Sequence, residues 1–311
     1  MILLRLSDGL GNQMFQYAYA RYLQEKYKEV IWINTETYCD STNRNYSLHH
    51  FRLNPNVYVM KGLPSKLIYQ RINHIYEQYR DEWKGKDYFD EIKDSNSKKE
   101  LAKEKGLYIA LPSSFRYYDF PETSCKNKLV IGFFQSHKYF DGIGNILKRE
   151  FSLREHLPHQ AIELKRQMKE SNSVCVHIRR GDYLSVKWRA LNVCNEEYYL
   201  KAMDLIAEEV DDPVFYIFSN TGADLKWIQN NYHFRYPVKY VDMNNPDYVE
   251  LNLMSACKHF IISNSTYSWW AQYLSKNSEK IVVAPSEWYK SKEYRNLDND
   301  IYMDEWRIVE V

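Results

Sequence analysis

Few cysteines are present, and none is spaced to act with another. The five, Cys39, Cys125, Cys175, Cys194 and Cys257, are scattered, odd in number and form no C-x-x-C pair. That argues against a disulfide framework or a structural zinc site and fits a reducing compartment. Charge of one sign is also lacking: 42 basic and 41 acidic residues leave a net charge of +1, so no general nucleic-acid or membrane surface is expected. No apolar run approaches the ~18 uninterrupted residues of a membrane span, and Met1–Leu6 is too short for a signal peptide. The expectation is a cytoplasmic protein without a transmembrane segment. A G-x-G-x-x-G turn, a Gly-Lys-Ser/Thr phosphate loop and any fixed-period repeat are missing too. The only obvious D-x-D, Asp298-Asn299-Asp300, lies in the tail and reads as a solvated turn, so no metal site is expected.

What is there is an ordinary globular composition, 44% apolar and 27% charged, in a 311-residue chain. That length exceeds one typical core and suggests two domains of about 150 residues each. The 28 tyrosines and 8 tryptophans offer faces for stacking on sugars or bases, although packing uses most such rings. Ile2–Leu6 predicts a strand and Ser7–Gly11 a glycine turn. Asn12-Gln13 then opens a helix whose Met14, Phe15, Ala18, Tyr19, Tyr22 and Leu23 recur at helical spacing. Val30–Asn34 predicts a second strand, followed by a polar loop to about Asn56, and Ser65–Trp83 an amphipathic helix. The charged stretch Lys84–Gly106 reads as a solvated excursion with room for a short helix. Leu107–Leu111 and Leu129–Phe134 predict strands, and Gln135–Phe151 a mostly helical close to the first half.

Pro158 interrupts the pattern, dividing the chain into an N-terminal α/β domain over 1–155 and a C-terminal α/β domain over 156–311. Beyond it, the runs Val174–Arg179, Val214–Ser219, Val238–Val241, Phe260–Ser263 and Ile281–Ala284 alternate with helical stretches. Those stretches are Gln160–Lys169, Glu196–Glu209, Asp224–Asn231, Asp247–Cys257 and Ser265–Ser275. This is the pattern of a parallel, doubly wound sheet. Two α/β halves imply a cleft between them.

Strand alternation puts Val174, Val176 and Ile178 on one face and Cys175, His177 and Arg179 on the other. An imidazole and a guanidinium therefore reach a strand's carboxyl end, where open α/β sheets bind ligands. Gly181 permits a sharp turn, and Asp182 can fold back to hold Arg179 or Arg180 as a fork that suits phosphate. The same residues would also make a plain structural salt bridge. Ser219-Asn220 and Ser263–Thr266 are two further polar strand ends. The latter opens a helix with Asn264 or Ser265 as N-cap and Thr266 in its first turn. Alone it is an ordinary cap; facing an arginine on a neighbouring strand it describes a pyrophosphate site.

Gly9–Ala18, His177–Tyr183, and Leu253–His259 leading into Ser263–Trp270, in that order, resemble the bacterial α1,2-fucosyltransferases of glycosyltransferase family 11. The resemblance spans nearly the whole chain. It implies an α/β, GT-B architecture of two Rossmann-like domains facing each other across a cleft, 1–155 on the acceptor side and 156–311 binding GDP-fucose. It also implies inversion at the anomeric carbon, forming an α1,2 linkage to a galactoside in a surface glycan such as the O-antigen of lipopolysaccharide, or in its lipid-linked precursor. The partners are then GDP-fucose and a galactoside, with no cofactor, metal or nucleic acid and with room for peripheral contact with a lipid-linked acceptor. In this reading Arg179 meets the charge that develops on the leaving β-phosphate, His177 helps bind the nucleotide, and Asp182 orders the arginine pair. Asn264, Ser265 and Thr266, with the helix end, hold other phosphate oxygens. Asn12 corresponds to a position near the reacting carbon, although it would serve equally as an N-cap. Asn220 or Asp242 would accept from the guanine N–H donors, and the general base stays open among Asp8, Glu36 and Asp119. Two other readings stand beside this one: a nucleotide- or glycan-binding protein of the same fold without transferase activity, and a transferase for another nucleotide sugar. Acceptor identity and oligomeric state do not follow from the sequence.

Overall fold

The computed structural model describes residues 1–39, 44–83, 88–110, 115–241, 244–290 and 299–311, with the backbone alone over 79–83 and 88–96. The chain forms two compact units, Met1–Arg154 with Leu297–Met303, and Glu155–Asn296 with Asp304–Val311. The late return of 297–303 to the first unit has no mark in the linear pattern.

In the first unit, β1 (Ile2–Arg5) feeds α1 (Leu10–Tyr27), followed by β2 (Ile31–Asn34), β3 (Val57–Val59), α2 (Gly62–Trp83) and α3 (Tyr88–Lys105). Then come β4 (Leu107–Ala110), β5 (Lys128–Gly132) and α4 (Gly144–Glu150). The strands pair in the order β3-β2-β1-β5-β4, all parallel. Ile68, Ile72 and Ile75 of α2, four and three residues apart, pack on Leu107, Ile109 and Ile131 of the sheet. That is the seam an amphipathic helix buries. By contrast α1 is buried almost all round, and its polar residues survive burial by being bonded. Gln13 donates to the Asp8 and Asn45 carbonyls and accepts from the Ser47 N–H. Gln16 bonds both backbone groups of Ser7. These two glutamines therefore fasten the glycine turn to its surroundings.

Three features differ from the sequence reading. α1 begins at Leu10, inside the glycine turn, with Gly9 as its N-cap, so Asn12 lies in the first turn and is not the cap. The charged stretch after Trp83 holds the 18-residue α3, anchored at its end by buried Ala102 and by Leu101 packing on the sheet. Asp300 is not a solvated turn: its carboxylate accepts from the Tyr117 N–H at 2.6 Å and pairs with Lys138 at 2.5 Å. Asp298 lies outside the described residues.

The second unit runs α5 (His159–Glu170), β6 (Asn172–Ile178), α6 (Glu196–Ala207), β7 (Pro213–Ser219), α7 (Gly222–Asn231) and β8 (Val238–Tyr240). It continues with α8 (Asp247–Met254), β9 (His259–Ile261), α9 (Thr266–Leu274), β10 (Val282–Pro285) and β11 (Arg307–Val309). Its sheet is parallel throughout, in the order β11-β10-β9-β6-β7-β8. Val174, Val176 and Ile178 of β6 meet Tyr198, Tyr199, Ala202, Met203 and Ile206 of α6 in one core. The opposite face of β6 is buried as well, as parallel sheets require: Cys175 is 1% exposed and His177 2%. Among the described residues no helix is long and apolar enough to cross a membrane.

Candidate active site

The central strand of the second sheet sets the site. From β6 the chain passes to β7 and β8 on one side and later to β9, β10 and β11 on the other. Strand order therefore reverses between β6 and β9, the position where open α/β sheets bind ligands. His177 and Ser263 bridge that point, with Ser263 Oγ and His177 Nδ1 3.0 Å apart. Burial, and then the neighbouring Arg179 charge, push the imidazole down to about 3, so it is neutral at physiological pH. The sequence reading sent His177 out beside Arg179; the structure instead seats it in the sheet, its ring 5.8 Å from that of Tyr267.

Arg179, one residue past β6, keeps 16% of its side chain exposed. Its Nη2 donates to both oxygens of Asp182, at 2.8 and 3.1 Å. With the Asn220 amide turned so that its oxygen faces the guanidinium, that oxygen accepts from Nε at 3.1 Å and Nη1 at 3.2 Å. The Tyr183 ring lies 5.1 Å from the guanidinium carbon, and its hydroxyl donates to the Asn264 carbonyl at 3.0 Å. Gly181 makes the fold-back feasible: it sits at φ +37°, and a Cβ there would lie 2.6 Å from the end of the Asn220 amide.

Several residues take other work than the sequence assigned. Asp182 pairs with Arg179. Arg180 instead stacks 3.2 Å over Trp227 and lies 3.9 Å from Asp224, and its Nε is buried with no hydrogen-bond partner. In the described conformation Asn220 gives its oxygen to Arg179, which leaves that atom unavailable to guanine, and Asp242 lies outside the described residues. Asn264 is 1% exposed and donates both amide hydrogens to the Leu191 and Trp288 carbonyls at 2.8 Å. Its side chain is thus a strut, with no amide hydrogen left for a phosphate. Ser265 is the N-cap of α9, accepting from the Tyr267 N–H, and Thr266 is the first, half-buried residue of that helix.

A pocket of about 470 Å³ opens against the same arginines, lined also by Asn192, Asn195, Glu287 and Lys290. Ser265 and Thr266 are not in its lining; the arginine loop meets the start of α9 through Tyr183, whose hydroxyl bonds the Asn264 carbonyl. Asp224 and Trp227 were invisible to the sequence reading because more than forty residues separate them from the strand end they support. Tyr183 stood inside the motif, but its role needed the geometry.

In the first unit, Asn12 lies half-buried in the first turn of α1, and its Oδ1 accepts from Gln135 Nε2 at 2.9 Å. Among the base candidates, Asp8 and Asp119 are exposed and Glu36 is half-buried. Asp119 accepts from the Tyr117 hydroxyl at 3.5 Å, and Glu36 from the Cys39 thiol at 3.6 Å.

Two units in one chain, each built on an open parallel sheet, are the architecture of the GT-B class of glycosyltransferases. The crystal structure of the fucosyltransferase NodZ from Bradyrhizobium has this fold, with a TM-score of 0.52 at 12% identity over 88% of this chain and 91% of that one. The sequence model of glycosyl transferase family 11 matches residues 1–310, and the chain belongs to that family. Among its relatives, the O-antigen biosynthesis glycosyltransferase WbnK of Escherichia coli is 31% identical over 97% of this chain and 98% of its own. The α-1,2-colitosyltransferase of Escherichia coli is 30% identical over 96% of each chain.

Proposed function

We propose that the protein is an inverting, metal-independent α1,2-fucosyltransferase that moves L-fucose from GDP-fucose to the 2-hydroxyl of a galactoside, in the cytoplasm, during assembly of a surface glycan. The observation that carries this reading is Arg179, held by Asp182 and Asn220 at the carboxyl end of β6. In the reaction the acceptor oxygen forms a bond to the anomeric carbon as the bond from that carbon to the β-phosphate oxygen breaks. The acceptor's proton passes to a base, and GDP leaves with one more negative charge on its terminal phosphate. A guanidinium already fixed in orientation meets that charge without reorganising. Arg180, whose buried Nε makes no hydrogen bond, and the amino terminus of α9 are suited to the remaining phosphate oxygens. The base is not assigned.

The galactoside and the fucosyl group come from the resemblance of the three motifs to α1,2-fucosyltransferases. A second donor is favoured by one observation, the colitosyl relative, since colitose is fucose without its 3-hydroxyl. The test is purified protein with GDP-fucose or GDP-colitose and a panel of β-galactosides, with and without EDTA, followed by GDP release and linkage analysis of the product. Turnover of GDP-fucose to an α1,2 product that survives EDTA is expected. Exclusive use of GDP-colitose would move the reading to that donor. GDP binding with no product from any pair would reduce the protein to a nucleotide-binding one, and loss of turnover in EDTA would overturn the metal-independent mechanism.

A further inference from the structure

The first sheet has its own reversal point, and a polar pair spans it. From β1 the chain goes to β2 and β3 on one side, then to β4 and β5 on the other, so strand order reverses between β1 and β5. Asn12 follows β1, and Gln135 follows β5 by three residues. The hydrogen bond from Gln135 Nε2 to Asn12 Oδ1, 2.9 Å long, closes that gap. Gln135 is only 8% exposed, yet its Oε1 has no hydrogen-bond partner. A buried unpartnered acceptor is costly in an interior and is explicable where a ligand supplies the missing donor. Turning both amides over keeps the pair and still strands one polar atom of Gln135. The chain just before it is held in an unusual shape, with Phe134 at φ 50°. A bulky residue in the left-handed region persists where the surroundings enforce it, commonly at functional sites.

With Oδ1 occupied, Asn12 has its two amide N–H donors to offer, and Gln135 has one acceptor. Such a donor–acceptor pair matches two neighbouring hydroxyls, each able both to give and to receive. We propose that Asn12 and Gln135 form a sugar-hydroxyl subsite at the β1/β5 crevice of the first unit, with Gln135 both accepting from a sugar hydroxyl and orienting the Asn12 amide. This rests on the glycosyl-transfer reading for its ligand class. The hydroxyls belong either to the acceptor galactoside or to the transferred sugar.

Saturation-transfer NMR with lactose and with L-fucose as probes, on wild type and on Gln135→Ala, reads the subsite without requiring turnover. Kinetics with GDP-fucose and lactose add the split between KM and kcat, and calorimetry with GDP monitors the second unit. In Gln135→Ala the signal of one probe is expected to fall and the matching KM to rise about tenfold, with GDP affinity within twofold of wild type. A change confined to lactose assigns the acceptor; one confined to L-fucose and the GDP-fucose KM assigns the donor sugar. Asn12→Ala combined with Gln135→Ala is expected to cost less than the sum of the two. Should Gln135→Ala fail to fold, Gln135→Met conserves the volume and removes the hydrogen bonds. Unchanged probe signals and KM values, with only a lower melting temperature, would overturn the proposal and make the pair a packing device. Absence of turnover in wild type with a probe signal that depends on Gln135 would overturn the proposed reaction and leave the subsite standing.

Discussion

Arg179 carries its charge in a fixed plane because its donors are shared out, Nη2 to Asp182 and the Nε/Nη1 edge to Asn220, with Tyr183 beneath. A lysine at this position brings a point charge that cannot satisfy both partners. Arg179→Lys is therefore expected to retain the fold and to lose about 10²–10³ in kcat with GDP-fucose; near-normal turnover would remove the arginine from the reaction. His177 illustrates the opposite use of a motif residue. Its folded value of about 3 lies below the roughly 6.5 of an unfolded histidine, so between those values the unfolded chain binds a proton that the folded one does not. Stability from this group is complete above about pH 6.5 and is lost as pH falls toward about 3, at about 1.4 kcal/mol per unit. Urea melts at pH 7 and 4.5 are expected to show a wild-type loss about 3 kcal/mol larger than that of His177→Gln, while equal losses would mean the imidazole is not held neutral. The histidine and the arginine were legible together as one motif. Alternation told which face His177 occupied, but not that this face is covered, because the helix that covers it, bearing Tyr267, is ninety residues away.

At the scale of elements, long periodic segments could be read, and among the edge strands β4 and β8 were legible while β3 and β11 were not. α2 announced itself by apolar spacing, and β8 by lying in the regular alternation of strands and helices, whereas β3 and β11, three residues each, follow a polar loop and a tail with no such alternation to mark them. α3 was hidden because its composition is that of a solvated surface; among its described side chains the apolar anchors are Leu101 and Ala102. α1 poses a different case, since its motif glutamines fasten backbone. The same helix carries a buried ion pair: Arg21 Nε donates to Glu150 of α4 at 2.9 Å, and the Tyr17 hydroxyl donates to the other carboxylate oxygen at 2.5 Å. Arg21 and Glu150 are only 4% and 11% exposed at their side chains. Glu150→Ala leaves the Arg21 guanidinium with Glu25 as its remaining carboxylate and the buried Tyr17 hydroxyl without its acceptor, and is expected to cost about 1–3 kcal/mol in urea unfolding. The double change Arg21→Met with Glu150→Leu is expected to recover part of that loss, because the buried guanidinium then goes with its carboxylate. A cost below about 1 kcal/mol for the single change would place the pair in the weak class of exposed ion pairs.

At the scale of the molecule, each unit is an open parallel sheet with a polar pair across its reversal point, His177 with Ser263 in one and Asn12 with Gln135 in the other. The strand pattern made the repeated α/β design legible. Which late residues belong to which unit was not, because that depends on contacts made across more than 160 residues of sequence. Leu297–Met303 returns to the first unit, where Ile301 is fully buried and Asp300 accepts from the Tyr117 N–H while pairing with Lys138. Asp300→Ala leaves that N–H without its acceptor and is expected to cost about 1–3 kcal/mol. Because these contacts lie within the first unit and the arginine clamp lies within the second, the loss has a definite address. Hydrogen exchange is expected to quicken around Tyr117 and Lys138 and to stay unchanged along β6, with GDP affinity by calorimetry unaltered. Equal quickening in both sheets would mean that the two units unfold together, and no change at Tyr117 would mean that the late segment contributes nothing to the unit it joins.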